Sequence, residues 1–399
     1  MIRKNRSCAQ SGKLHKNGTN CPLEGALYPM DNNITENEIC QDVNIDKEIK
    51  TKFTPKRLAS EILAQSYERI GYENKAQRVS DCGTWLVFRK PLGDVSEPPS
   101  ASGCAEAVGT SEGWKLHNAN FCRDRLCPMC SWRRTYKVYA QISRIMDVIQ
   151  DDYVFLFLTL TVPNCSADEL AQTIDNLQKG WQRLIHYKRF KNAVKGYFKV
   201  LETTRNTDKS SPFYNTYHPH FHNILAVNKS YFTSRDYMQH SEWLQLWQRA
   251  MQDPTITQVD IRRCKDKKDI REGEQAVKAL GSAVAEVAKY SVKSADFLGR
   301  FNKDGFLVSP FPDDEIDDTV ITLGSALHHR RLVALGGIFD EVSKKLQLDD
   351  CEEGDLIHID GSEMRPDVAY MIRKYNWSCG AYKLLEERRE VNIDIEVEE

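Results

Sequence analysis

Residues 218–222 read His-Pro-His-Phe-His. Side chains two apart on a strand share a face, so His220 and His222 can present two imidazoles to one ion. Two ligands hold a divalent ion poorly, and a third is needed. Glu202 stands in the preceding apolar run, Val200-Leu201-Glu202-Thr203, where a lone carboxylate is costly. If the two runs form a hairpin symmetric about residue 211, Glu202 falls opposite His220. Two imidazoles and a carboxylate suit Mn, Mg or Zn. A softer set lies upstream. Cys122, Cys127 and Cys130 offer three thiolates within nine residues, and structural zinc takes four thiolates, or three and an imidazole. Cys82 is the first choice for the fourth ligand, because Gly83 permits the tight turn of a knuckle. Cys104 and His117 are the alternatives. Arg123, Arg125, Arg133 and Arg134 surround the cysteines, and guanidinium forks match phosphate oxygens. A third set is Glu286, Lys289, Tyr290 and Lys293. At helical spacing Glu286, Tyr290 and Lys293 share one face. Tyrosine can be a covalent nucleophile, Glu286 can activate a water, and Lys289 or Lys293 can stabilise added negative charge.

These groups need elements to position them. Tyr153–Val162 is β-branched and aromatic, and Pro163 stops it. Ser166 is an N-cap candidate for a helix running to about Phe190. Strands are predicted over Gly196–Thr204 and Pro219–Val227, a helix over Thr233–Gln252, a strand over Ile256–Arg262 and a long helix over Glu274–Leu298. The order β-α-β-β-α-β-α is the split βαβ arrangement of ferredoxin-like sheets with one added helix. Helices are also predicted over Pro55–Arg78 and Arg133–Ile149. Asp313–Asp318 reads as an acidic loop and His328–Phe339 as a short helix.

The chain has 399 residues, which predicts two or three domains. The division read from composition is a disordered arm over 1–54, a helical zinc-binding module over 55–150, a catalytic domain over 151–300, and a C-terminal region with a charged tail over 301–399. Residues 111–300 carry 29 Lys and Arg against 20 Asp and Glu, whereas the whole chain has 55 against 57. A basic middle suits a polyanionic partner. The longest apolar run is too short for a bilayer, and no apolar segment follows the basic N-terminus, so the expected location is the cytoplasm. Twelve cysteines without a secretory signal point to metal rather than to disulfides.

Three signatures occur in one order: Phe157-Leu-Thr-Leu-Thr161, His218-Pro-His-Phe-His222, and Glu286-x3-Tyr290 followed by Lys293. Together they resemble the motifs of rolling-circle plasmid replication initiators of Gram-positive bacteria, which belong to the HUH endonucleases. The segment Cys122–Arg134 and the pair Cys82-Gly83 resemble the opening of the same homology. The resemblance covers about residues 76–300. One position departs from it: Asn223 follows the last histidine where an aliphatic residue is expected.

The resemblance implies an α+β fold, in which a ferredoxin-like HUH domain, an antiparallel sheet with helices on one face, follows a small zinc-binding module. It implies that Tyr290 attacks a scissile phosphate in an origin hairpin, leaving a 5′-phosphotyrosine and a free 3′-hydroxyl. His220, His222 and Glu202 would hold Mg or Mn. Glu286 would activate water to end the cycle. Cys82, Cys122, Cys127 and Cys130 would hold zinc. Origin DNA, and a host helicase and DNA polymerase, would be partners. A single-tyrosine HUH transposase and a non-catalytic zinc DNA-binding regulator are the alternatives.

Overall fold

Tyr153–Leu160 is apolar, and Tyr217–Asn228 buried, at nearly every position, as strands covered on both faces must be. In the computed structural model both lie inside a five-stranded sheet. The structure describes residues 45–92, 113–264, 284, 292–301, 307–309, 311–359 and 368–390. All of them lie within one unit, Val43–Glu399. Ile45–Glu48 is a single helical turn, and the longer described α-helices are, in chain order, α1 Thr54–Arg69, α2 Glu73–Asp81, α3 Pro128–Ile149, α4 Leu170–His186, α5 Lys188–Ala193, α6 His240–Met251, α7 Asp313–Leu327 and α8 Ile338–Lys345. The strands are β1 Trp85–Pro91, β2 Lys115–Ala119, β3 Tyr153–Leu160, β4 Val194–Arg205, β5 Tyr217–Asn228, β6 Val259–Arg263, β7 Arg300–Phe301, β8 Leu307–Ser309, β9 Val333–Gly337, β10 Tyr370–Ser378 and β11 Ala381–Glu390.

The five-stranded sheet is antiparallel throughout, in the order β6-β3-β5-β4-β9. Helix α4 connects β3 to β4, and α6 connects β5 to β6. Alternation along the strands makes two faces. Leu156, Leu158, Leu225 and Val227 pack with Leu177 and Trp181 of α4 and with Trp243 and Trp247 of α6. Phe155, Phe157, Phe198 and Ile224 pack with Ile142 and Ile145 of α3 and with Phe339 and Val342 of α8. The expectation of helices on one face is therefore corrected. β3 and β5 carry apolar side chains on both sides, and only a second helical layer keeps both sides from water.

Pro219 sits in a central strand, where proline normally costs a ladder bond. Here it does not. Tyr217 exchanges its backbone bonds with Cys165, and Pro219, two residues on, faces the same side, beyond the last β3 pair at Leu160–Phe221. Gly337 closes the other edge. Its φ is +57°, and a Cβ there would strike the Lys195 carbonyl oxygen, so β9 can dock on β4 only with glycine at this turn.

A second sheet has the order β11-β10-β1-β2. Tyr375 Oη donates to Asp46 at 2.7 Å and Trp377 Nε1 to Glu61 at 2.6 Å, fastening β10 to the N-terminal helices. Strand β9 extends the first sheet, and β10 and β11 complete the second. Order also begins before residue 55: Ile45, Ile49 and Phe53 are buried in the core. Residues 1–44 lie outside the described residues.

Several local readings change. Asp313–Asp318 opens helix α7 instead of forming a loop. Its acidic first turn favours the helix dipole, and Ile316, Val320 and Leu323 bury one stripe. His328–Phe339 contains strand β9, and helix starts only at Ile338. The helix read over Thr233–Gln252 begins at His240, where Gln239 and Glu242 form a capping box. The helix expected over Glu274–Leu298 does not reach its predicted end, since Lys293 is extended and Ser294–Asp296 is a 3-10 turn. Most of that span lies outside the described residues. No helix among the described residues is long and apolar enough to cross a membrane.

Candidate metal centres and active site

β4 and β5 pair with Glu202 directly opposite His220. By alternation Glu202, His220 and His222 project from the face that α3 and α8 cover further along. All three are buried, at 2%, 7% and 7% exposure. His222 Nε2 lies 2.8 Å from Glu202 Oε2 and 3.0 Å from His220 Nε2, and His220 Nε2 lies 3.4 Å from Glu202 Oε2. Donors on one ion at about 2.1 Å stand about 3.0 Å apart at octahedral edges and about 3.4 Å apart at tetrahedral ones. The three donors therefore fit one divalent ion. Burial works to raise the Glu202 carboxyl, but bonds from His220, His222 and Lys293 outweigh it and hold it well below the usual carboxylate range. Lys293 Nζ stands 2.9 Å from Glu202 Oε1, so the extended residue that precedes the 3-10 turn brings its ammonium to this centre.

Both imidazoles are oriented from behind. His222 Nδ1 is 3.2 Å from Thr159 Oγ1, and His220 Nδ1 is 3.0 Å from the His218 carbonyl oxygen. With an ion bound, a proton on each Nδ1 would leave each Nε2 lone pair for the ion, the usual arrangement of a metal-ligating histidine. Thr159 pairs with His222 across β3 and β5. Its role was missed in the sequence, although its parity within Phe157–Thr161 is the available signal.

The second group is Cys82, Cys122, Cys127 and Cys130. The sulfurs of Cys82 and Cys130, of Cys122 and Cys130, and of Cys82 and Cys127 are 3.6, 3.7 and 3.6 Å apart. A tetrahedron with metal–sulfur bonds of about 2.3 Å has edges of about 3.8 Å, so the set could hold a metal ion. The knuckle is built locally. Cys127 caps α3 and Pro128 takes its first position. The backbone N–H groups of Cys122, Arg123 and Asp124 donate to sulfurs of Cys82, Cys130 and Cys122 at 3.4, 3.2 and 3.4 Å. Gly83, at φ +70°, turns the chain beside Cys82. His117 stands elsewhere, its ring 6.1 Å from that of His358, and Cys104 lies outside the described residues.

The four arginines beside the knuckle all donate to peptide carbonyls. Arg133 and Arg134 are buried. Arg133 donates to the Leu356 and Ile357 carbonyls, and Arg134 to those of Glu352, Asp124 and Arg123. Arg125 donates to the Leu327 and Arg330 carbonyls, and Arg123 to that of Glu353. Their forks meet peptide carbonyls because the chain returns over the knuckle, a contact no local pattern encodes.

Asn223 is wholly buried on the opposite, helix-covered face, where its Nδ2 donates to the Leu158 carbonyl at 2.9 Å. Its register partner Lys199 is buried too, donates to Gln178 Oε1 at 2.7 Å and lies 4.1 Å over the Phe221 ring. Burial lowers the Lys199 ammonium to about 7. Glu286, Lys289 and Tyr290 lie outside the described residues.

Residues 113–383 match the family model described as "Replication protein". The chain belongs to this replication protein family. Among similar members, "Protein rep" of Bacillus amyloliquefaciens is 35% identical over 329 residues, covering 78% of this chain and 86% of that protein. "Protein rep" of Streptococcus pneumoniae is 32% identical over 318 residues, covering 77% and 84%. "Protein rep" of Staphylococcus aureus is 35% identical over 250 residues, covering 62% and 94%. No solved structure matches this replication-family chain. The matched span contains Glu202, His220 and His222, three of the four cysteines (Cys82 precedes it), and the β9–β10 region that the motif resemblance did not cover.

Proposed function

We propose that this protein initiates plasmid rolling-circle replication by nicking one strand of its origin through metal-assisted tyrosyl transesterification. The observation that carries the reading is the convergence of Glu202, His220 and His222 on one buried point of a rigid sheet. Family membership supports it, and so does the 4-1-3-2 order of the first four strands of the large sheet, which is that of a ferredoxin-like HUH domain. A zinc-dependent DNA-binding regulator would leave this convergence unused.

The residues would divide the work as follows. Glu202, His220 and His222 hold Mg or Mn, which when bound polarises the scissile phosphate. The Tyr290 phenolic oxygen forms a bond to phosphorus, the bond from phosphorus to the 3′-oxygen breaks, and that oxygen leaves as a hydroxyl. A 5′-phosphotyrosine remains. Lys293, beside Glu202, stabilises the added negative charge. Glu286 later activates water, which ends the cycle with one tyrosine. Cys82, Cys122, Cys127 and Cys130 hold structural zinc. The 3′-hydroxyl primes a host polymerase, with a host helicase opening the duplex, in the cytoplasm.

The test compares wild type with Glu202→Ala and His222→Ala on end-labelled single-stranded origin DNA. Both variants should lose Mn²⁺-dependent cleavage by at least about a hundredfold while binding DNA as before. Cleavage at the wild-type rate in both would overturn the metal assignment.

A further inference from the structure

Strand β5 ends at Asn228, about 20 Å beyond His222 at strand rise. The chain then makes a 3-10 turn at Tyr231–Thr233 and runs to the cap of α6 at Gln239. This loop is tied down. Tyr231 is buried, and its hydroxyl accepts the Met238 N–H at 3.1 Å. Ser234 Oγ donates to the Tyr231 carbonyl and accepts the Asp236 N–H. Arg189 of α5 donates to the Arg235 and Tyr237 carbonyls, each at 2.7 Å, and to Glu242. Within this fixed loop Phe232 and Tyr237 stay 41% and 40% exposed. Their ring centroids are 6.0 Å apart, and each packs on the Tyr231 ring, at 5.2 and 5.5 Å. The surroundings are basic. Residues 186–195 hold Lys188, Arg189, Lys191 and Lys195 and no carboxylate, and residues 229–241 hold Lys229 and Arg235 against Asp236. Lys188, Lys229 and Arg235 are exposed, whereas Arg189 is engaged by the loop.

We infer that Phe232 and Tyr237 form a stacking platform for the bases of single-stranded DNA, with Lys188, Lys229 and Arg235 meeting its phosphates. Unpaired bases have bare π faces, and every base can stack on an aromatic side chain, which gives affinity without sequence preference. In a duplex those faces are covered by neighbouring base pairs, so the platform selects the unpaired strand. Six cations against one carboxylate in these two segments fit a polyanion better than a protein surface. The chain belongs to a replication protein family, so DNA is the polyanion at hand. A loop held by its own hydrogen bonds presents the rings already ordered, and little freedom is lost on binding. The platform stands beyond the end of β5, away from Glu202, His220 and His222, so the inference goes beyond the nicking reading and does not require it.

The experiment measures binding of a fluorescein-labelled oligothymidylate of about 16 nucleotides, the upper site size of a single-strand-binding fold, by anisotropy across a salt series. EDTA is present, which separates binding from cleavage. Phe232→Leu/Tyr237→Leu keeps apolar cover on Tyr231 and removes both rings. It should bind about tenfold or more weakly, with an unchanged slope of log K against log salt. Tyr237→Phe keeps the ring and should match wild type. Arg235→Ala should make the slope shallower by about 0.7, the share of one phosphate contact on a single strand. An abasic strand of the same length should bind wild type and the double variant alike, and so should a blunt duplex. Equal affinity of wild type and the double variant for the oligothymidylate would overturn the inference and leave the rings for a protein partner. A loss equally large on the abasic strand would overturn it too, because it would report a disturbed loop rather than lost stacking. If thermal melts show the double variant unfolded, each single leucine variant is judged by the same comparison of oligothymidylate with the abasic strand.

Discussion

Replacing Thr159 by Val probes how the sheet prepares the metal centre. Valine keeps the shape of threonine and removes only the hydroxyl that lies 3.2 Å from His222 Nδ1. A metal-binding His222 needs its proton on Nδ1, and in the variant that N–H points into a buried site without its acceptor. A buried donor left unsatisfied costs about 1–3 kcal/mol. The cost falls on the tautomer that binds metal, so Mn²⁺ affinity should drop by about 10- to 100-fold, the range found when a ligand's outer partner is lost. Isothermal titration with Mn²⁺ measures this directly, and Thr159→Ser should restore most of it. The fold should tolerate the change, since Thr159 lies on a strand held by eleven other register pairs to β5 and β6 outside its own row. Equal Mn²⁺ affinity in Thr159→Val and wild type would refute the claim that this hydroxyl sets the tautomer.

Two further outcomes follow from the buried groups. Lys199 is held near 7 by burial, against about 10.4 for a free lysine. Between these values the unfolded chain binds the extra proton, so stability should rise with pH from about 7 to about 10. Lys199→Met should flatten that rise and stabilise the protein by about 2 kcal/mol at neutral pH, after the loss of the Gln178 bond and the ring contacts. Thermal melts at several pH values check this, and a variant less stable at pH 7 would contradict it. At the knuckle, purified protein should carry one zinc per chain on four thiolates, and cobalt substitution should give sulfur-to-cobalt charge-transfer bands that Cys82→Ser weakens. Full-strength bands in Cys82→Ser would remove Cys82 from the ligand set.

What could be read from the sequence was chemistry of short range and strong periodicity. The Glu202–His220 pairing was legible because the hairpin symmetry about residue 211 survives a long, turn-rich loop. The tight loop is held by Asn206, Asp208 and Ser211, whose side chains bond backbone N–H groups or one another within it. Cys82 could be paired with a knuckle 40 residues away because Gly83 marked a turn. The second helical layer was not legible, since an apolar strand shows that both faces are covered without naming the cover. The carbonyl partners of the knuckle arginines were not legible for a related reason. An arginine rich in donors looks the same whether its fork meets phosphate or the carbonyls of Glu352 and Leu356, which return from more than 200 residues downstream. Helix α7 reads as a loop in the sequence because its acidic first turn hides the stripe of Ile316, Val320 and Leu323.

The central claim is covalent chemistry at Tyr290 supported by the Glu202–His220–His222 centre. The most direct measurement incubates the protein with end-labelled single-stranded origin DNA and Mn²⁺, with and without EDTA, and separates the products on a denaturing gel. The expected result is a protein–DNA adduct that survives SDS, requires the metal, and disappears in Tyr290→Phe. Tight binding to the cognate origin with no adduct, or an adduct that persists in Tyr290→Phe, would contradict it.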